Sequence, residues 1–470
     1  SAARSDGRAA YADRGMDGVK FARDNHSLHV ARTAISPLLA STEVRLYRNY
    51  VDHVMDNYSL RSFVPAGAMS GRAASNPDRL TSGGLAQLVL VPAAPARVTL
   101  GLDTQRNVHS LRSTANESVD PFAAKPRVRD AEFRQRGTFA EGAFTLTPAQ
   151  RLSAGARFDR WQTTDRRATL SIPTLGSSPN PGAGRTRSSD LASGFARYEY
   201  DLASRAATLF TGLGRAQRFP DYWELFRHES ATGISSFGTR PEITTQLDAG
   251  ALVRRGPLHF SISAFASRLD DFILVQSGFA KSAPASSGSG ATTGLGGMTS
   301  APVPTTRTAT VTRNLDAATW GGEADLGCRL AADWKLDASL AYVRGENKTD
   351  ARPLAQLPPL ETRLGLSYTR RSWSAGALFR GVAAQNRFAR LQGNIVGQDL
   401  GRTPGFGVLA LHASWHATAR LRISAGADNL FDRTYAEHLS RAGAAVAGFA
   451  QTTRVNEPGR FLWLRLDFSG

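Results

Sequence analysis

Cysteine is almost absent: Cys328 is the single one in 470 residues, so no intrachain disulfide can form. Long apolar runs are absent as well. No stretch of eighteen or more apolar residues occurs, which argues against a helical membrane span. That lack leaves a transmembrane barrel open, because lipid-facing and lumen-facing residues alternate along a strand and cancel in a hydropathy average. Acidic residues are the minority, 40 against 57 Lys and Arg, for a formal charge of +17. Such an excess invites a nucleic-acid reading. The arginines are scattered, however, and neither zinc-finger spacing nor a basic helix is present; a solvated lumen and polar loops accommodate the charge without a nucleic-acid partner. Catalytic signatures are also missing. There is no G-x-S-x-G, H-E-x-x-H, P-loop or C-x-x-C pattern, and "GLGRAQ" is not followed by a helix, so the chain reads as something other than an enzyme.

What the chain does have is period-two alternation along its whole length. "RVTLGL" sets Val98, Leu100 and Leu102 against Thr99, Gly101 and Asp103. "PLHFSISAFA" sets Leu258, Phe260 and Ile262 against His259, Ser261 and Ser263, and "EADLGCRL" sets Ala324, Leu326, Cys328 and Leu330 against Glu323, Asp325 and Arg329. Each is a strand with one apolar and one polar face. Tight turns near "VPAAPA", "TPAQ", "LASRA", "RRGP", "AADW", "TRRS" and "HATA" alternate with longer polar loops around 61–79, 113–128, 165–187, 220–241, 277–304, 347–359, 387–403 and 436–458. A meander whose two ends face different compartments makes that rhythm, with short periplasmic turns and long extracellular loops. The fold expected is all-β: a transmembrane, antiparallel up-and-down barrel, incomplete, with roughly 17–18 of about 22 strands. The Gly/Ser-rich stretch around 277–304 is expected to be a flexible loop.

Three stretches carry a family likeness: "GADNLFDRTYAEHLSRAG" (426–443), "RVNEPGRFLWLRLDF" (454–468) and "GRAQRFPDYWELF" (214–226). They resemble TonB-dependent outer-membrane receptors. With "YADRGMDGVKFARDN" (11–25) and "VDHVMDNYSLR" (51–61), the resemblance narrows to the copper receptors of that family. It implies that residues 1–470 are a partial receptor barrel whose N-terminal plug and first strands precede Ser1. It also implies an energy-transducing TonB protein of the inner membrane as partner, acting through that region, with outer-membrane lipid around the wall.

The chemistry-bearing candidate is His53–Val54–Met55. Along 43–59 the odd positions Arg45, Tyr47, Asn49, His53, Met55 and Asn57 share one face, expected to be the lumen, with Val44, Leu46, Tyr50 and Val54 opposite. At i and i+2 the two ligands stand roughly 6.5–7 Å apart at Cα. A thioether selects Cu(I), and imidazole suits copper generally, so the pair is half of a soft-metal site. The resemblance places the copper receptors' own His-x-Met pair at His53 and Met55. The plainer reading is a solvated lumen histidine beside a packing methionine. Met69, on the following loop, is a possible further contact, although an ordinary loop methionine is the favoured reading. Met16 and Met298 fall in turn and loop sequence, Cys328 on an apolar face, and His412 and His416 too far apart to share an ion; "RFPDYWELF", in an extracellular loop, suggests an aromatic role at the membrane interface or in loop packing. The expected function is TonB-dependent import of copper, Cu(I) favoured, with no organic cofactor. Another cargo, such as a siderophore or corrinoid, and a passive pore are the alternatives.

Overall fold

The computed structural model describes all residues except 66–69, 94, 173–175, 203–205, 228–232, 284–304, 447–449 and 469–470. A short β1 (Ala2–Ser5) lies beside β2 (Asp17–Thr33), followed by β3 (Leu39–Asp56), β4 (Ala74–Leu90), β5 (Ala96–Thr114), β6 (Val128–Thr147) and β7 (Gln150–Asp165). The small strands β8 (Thr169–Ile172) and β9 (Gly176–Pro179) precede β10 (Thr186–Asp201) and β11 (Ala207–Arg218). After the one-turn helix α1 (Tyr222–Leu225) come β12 (Glu242–Arg255), β13 (Leu258–Ala283), β14 (Thr305–Arg329), β15 (Trp334–Asn347) and β16 (Arg352–Pro353). The chain ends with β17 (Glu361–Arg370), β18 (Trp373–Val382), β19 (Gln392–Gly393), β20 (Phe406–His416), β21 (Leu421–Asp428) and β22 (Phe461–Phe468). Setting aside the short β1, β8, β9, β16 and β19, seventeen strands remain, within the range expected.

All but β8 and β9 form one antiparallel sheet in which each long strand pairs with the next long strand of the chain. Counting outward from the turn at 34–38 pairs Val30 with Val44 and Leu28 with Leu46, and these four are exposed on the same side. The same side carries Leu102, Phe158, Leu213, Ile262, Leu340 and Leu364, which is the lipid-facing band of a membrane barrel. Stacked or tilted aromatics, Trp334 with Tyr368 and Trp373 with Trp415, mark its short-turn border. The opposite face is charged. Arg157 bridges Asp103 at 2.6 Å and Asp159 at 2.7 Å, and Arg151 holds Asp201 at 2.7 Å. Such pairs need water beside them, so this face is the lumen.

Among the described residues the sheet is not closed by hydrogen bonds: β22 pairs with β21 alone, and β1 on β2 forms the other edge. Its two ends still meet at the long-loop side. Ala444 N donates to Ala12 O at 2.7 Å, and Arg441 Nη1 to Asp13 Oδ2 at 3.0 Å.

Several expectations needed adjusting. The loop at 165–187 contains the β8–β9 hairpin, Thr169 opposite Pro179, because alternating "TLSI" pairs with its own return segment. The loop expected at 61–79 ends early, since β4 starts at Ala74. Met69 and Met298 lie outside the described residues. Met16 lies in a bend before β2, and Cys328 faces outward opposite Leu258 and Leu336.

Candidate metal centre on the lumen wall

The register puts His53 and Met55 on the face of Glu43, Arg45, Tyr47 and Asn49, opposite to exposed Val44 and Leu46. Asn57, expected to share that face, lies one residue beyond β3 and instead ties the following loop to itself, donating to Gly71 O at 3.2 Å and accepting from Ala73 N at 3.0 Å. Arg48 and Asp52 interrupt the apolar residues of the outer face, and this has a cause. There β3 has risen past the apolar band, and Tyr50 donates to Asp78 at 2.9 Å while Lys20 reaches Asp52 at 2.8 Å.

Three neighbours hold His53. Phe21, opposite it on β2, stacks on the imidazole with centroids 4.3 Å apart and planes 24° from parallel. Gly18, opposite Met55, gives the Phe21 ring its room: a Cβ there would stand 2.2 Å from Cε2. A bulge between Gly18 and Lys20 brings the ring to this position. Behind the strand, Pro77 offers no N–H to the ladder, and the β3–β4 pairing breaks between Asp52/Asp78 and Met55/Ser75. The fully buried Asn76 fills the break. Its Nδ2 donates to His53 O at 2.9 Å and Asp52 Oδ1 at 2.7 Å, while its Oδ1 accepts from Arg112 Nε and Arg127 Nη2, both at 2.8 Å.

The carbonyl of His53 is thus satisfied and its ring clamped on one side. The ring's Nε2 is buried and meets no hydrogen-bond partner among the described residues. Buried polar atoms left without a partner are rare, and an unfilled ligand position is one reason for them. Two residues along on the same face, Met55 adds a thioether at a spacing from which sulfur and nitrogen can converge. Among the described residues there is no group of three or more His, Cys, Asp or Glu that could hold a metal. An imidazole and a thioether suit a soft cation better than calcium or magnesium, which require oxygen-rich cages.

Above the pair, the rim is latched by charge. Arg61 donates to Asp17 at 2.7 Å and to the carbonyls of Arg14 and Tyr11 at 3.0 Å each. Asp13 takes Arg14 at 3.3 Å and Arg441 at 3.0 Å. Burial pushes the Asp13 carboxyl up, but the two guanidiniums outweigh it and hold it below the usual carboxylate value. Of the two roles open to the "RFPDYWELF" segment, it takes packing rather than the membrane interface, and it packs inside the mouth. Asp221 and Glu224 form a capping box on α1, Tyr222 stacks on His109 at 4.4 Å, and Phe219 and Phe226 join Phe133, Ala131 and Leu191 in a buried cluster. Tyr222 also hydrogen-bonds Asp130, and burial followed by that carboxylate pushes its hydroxyl well up, so it remains a donor.

The family description "TonB dependent receptor-like, beta-barrel" matches residues 1–430. The chain belongs to this family. It is accordingly an outer-membrane receptor barrel. Among solved structures, the copper transporter OprC matches 99% of the chain at 39% identity with a TM-score of 0.88, and the chain spans 68% of that protein. The FrpB iron transporter from Neisseria meningitidis (F3-3 variant) shares 13% identity at a TM-score of 0.64, over 96% of this chain and 63% of its own. The ferric-catecholate import receptor Fiu from E. coli K12 shares 14% at 0.66, over 97% and 65%. At those identities the last two show the fold alone. No protein of curated function matches the chain. Phe21, Gly18 and Asn76 were missed in the sequence. The turn at 34–38 could have revealed Phe21 by counting outward to its partner, whereas Asn76 needed the Pro77 gap to be seen in three dimensions.

Proposed function

We propose that this receptor barrel imports copper ions, with His53 and Met55 as lumen-wall ligands and Cu(I) as the favoured form. One observation carries the reading: 39% identity across 99% of the chain to a copper transporter. The unpartnered Nε2 of His53 and the thioether two residues on agree with it. Two ligands make a weak site, so a tight one draws one or two more soft donors from elsewhere in the receptor. Met69 on the following loop is the nearest such donor in sequence. Import needs work against the gradient, which in this family is supplied by TonB in the inner membrane; the barrel itself forms and breaks only coordination bonds.

The test is copper content and affinity of the purified protein, compared with His53→Ala/Met55→Ala. Loss of both ligands is expected to abolish stoichiometric Cu(I) binding in competition with a chromophoric chelator. Unchanged copper in the double variant would instead assign the wall to another cargo. Uptake that persists in cells lacking TonB would make the barrel a passive pore.

A further inference from the structure

Three of the long loops meet at one buried histidine. His438, on the loop between β21 and β22, has a side chain only 1% exposed, and Asp399, on the loop between β18 and β20, is fully buried. His438 Nδ1 lies 2.8 Å from Thr403 Oγ1. Its Nε2 stands 3.4 Å from Asp399 Oδ1, near enough for charge attraction but off the line of a hydrogen bond, and it meets no other partner among the described residues. Asp399 gathers the loops around it. Its Oδ2 accepts from Ala389 N at 2.8 Å, and its Oδ1 from Gln356 N at 3.0 Å and Gln356 Nε2 at 3.1 Å. Gln356 belongs to the loop between β15 and β17, so one carboxylate joins three separate segments of the mouth.

A buried carboxylate is destabilising unless it is hydrogen-bonded and faced by a cation. Burial pushes Asp399 up, but His438 and the N–H donors of Ala389 and Gln356 outweigh it and hold the carboxyl below its usual value. It is therefore ionised throughout the neutral range. The other charges nearby are already engaged. Arg454, which the Asp399 charge reaches, donates to the carbonyls of Gly401 at 2.6 Å and Arg402 at 3.1 Å. On the segment of His438 itself, Glu437 is held by Arg380 and Arg441 by Asp13. Thr403 and Gln356 are uncharged. Histidine is the side chain whose ordinary charge change falls between pH 5 and 8, so His438 is the member of this cluster that can switch there.

We propose that His438 is a proton-operated lock on the mouth loops. With a proton on both ring nitrogens it ties Thr403 to the Asp399 carboxylate through a buried ion pair, and the three segments are held together. When the ring gives up one proton to water, the carboxylate loses its counter-charge and the segments loosen as a unit. The sign follows from the pair: the lock is complete below the range in which histidine titrates and is lost as pH rises through it. The loop of His438 also carries Arg441 and Ala444, whose contacts with Asp13 and Ala12 reach the segment leading to Gly18. The lock thus bears on the rim above His53, and it acts on the loops whatever the barrel carries.

The test is hydrogen exchange of the purified receptor in detergent, read by mass spectrometry from pH 5 to pH 8.5 and corrected for the chemical pH dependence of amide exchange. In the parent, 385–403 and 434–440 are expected to exchange about tenfold faster above the transition than below it, along a one-proton curve. The 115–127 loop, remote from the lock, is expected not to change. His438→Gln keeps a polar side chain without the charge and should exchange at the fast rate at every pH. Thr403→Val leaves both charges in place and should keep the curve. A flat parent profile, the same curve in 115–127, a curve that survives in His438→Gln, or its loss in Thr403→Val would each overturn the proposal. Should His438→Gln not refold to native strand content, Asp399→Asn takes its place, with loss of the curve expected and its persistence overturning the lock.

Discussion

Gly18→Ala tests whether the stack on His53 matters to metal binding. Gly18 sits outside the left-handed region, so alanine is tolerated by its backbone. What it meets is the Phe21 ring: the new Cβ would lie 2.2 Å from Cε2 and 2.3 Å from Cζ. Carbon atoms rest at about 3.5–4.0 Å, so the ring must retreat by about 1.3 Å or more. It cannot do so toward His53, whose ring centroid is already only 4.3 Å away, without pushing the imidazole out of place. Overpacking of this kind costs about 1–3 kcal/mol of local stability. Partners that orient a metal-bound histidine are typically worth 10–100-fold in affinity, so Cu(I) binding is expected to weaken by about that factor, or about 1.4–2.7 kcal/mol. The assay is Cu(I) competition against a chromophoric chelator for wild type, Gly18→Ala, Phe21→Leu and the double variant. Because the effect is routed through the ring, Gly18→Ala should add little once Phe21 is leucine. If it weakens binding equally in both backgrounds, or not at all in wild type, the stack does not position His53.

Further outcomes follow from the layers around the site. Asn76→Ala leaves the His53 carbonyl and two arginine donors without their buried partner, a cost of about 2–3 kcal/mol. It should speed amide exchange at the upper ends of β3 and β4 and lower copper affinity, with the lower half of both strands unaffected. Asp13 has a folded pKa below its unfolded value, so its contribution is complete above about pH 4 and is lost as pH falls through the lower folded value. The contact between Asp13 and Arg441 should therefore hold at neutral pH and open only in stronger acid, read as faster exchange in 11–16 and 439–444. Asp13→Asn should give the opened pattern at neutral pH; protection unchanged in that variant would show the latch to be held by the Ala444–Ala12 bond instead.

Most of the wall was legible because a strand's side chains alternate by covalent geometry alone. Val44, Leu46, His53 and Met55 could be assigned to faces from their spacing, since no distant residue can reverse the parity of an unbroken strand. Chain segments far apart in sequence decided the rest. Phe21 meets His53 only after a turn and a bulge. Asn76 reaches the His53 carbonyl across a ladder interrupted by Pro77. The aromatic "RFPDYWELF" segment could equally have lain at the membrane interface, and only contact with Phe133 and Leu191 draws it into the mouth. Alternation is local and costs nothing to read. Which buried groups end up satisfied, and which, like His53 Nε2, are left without a partner, depends on neighbours that meet only when the sheet has curled.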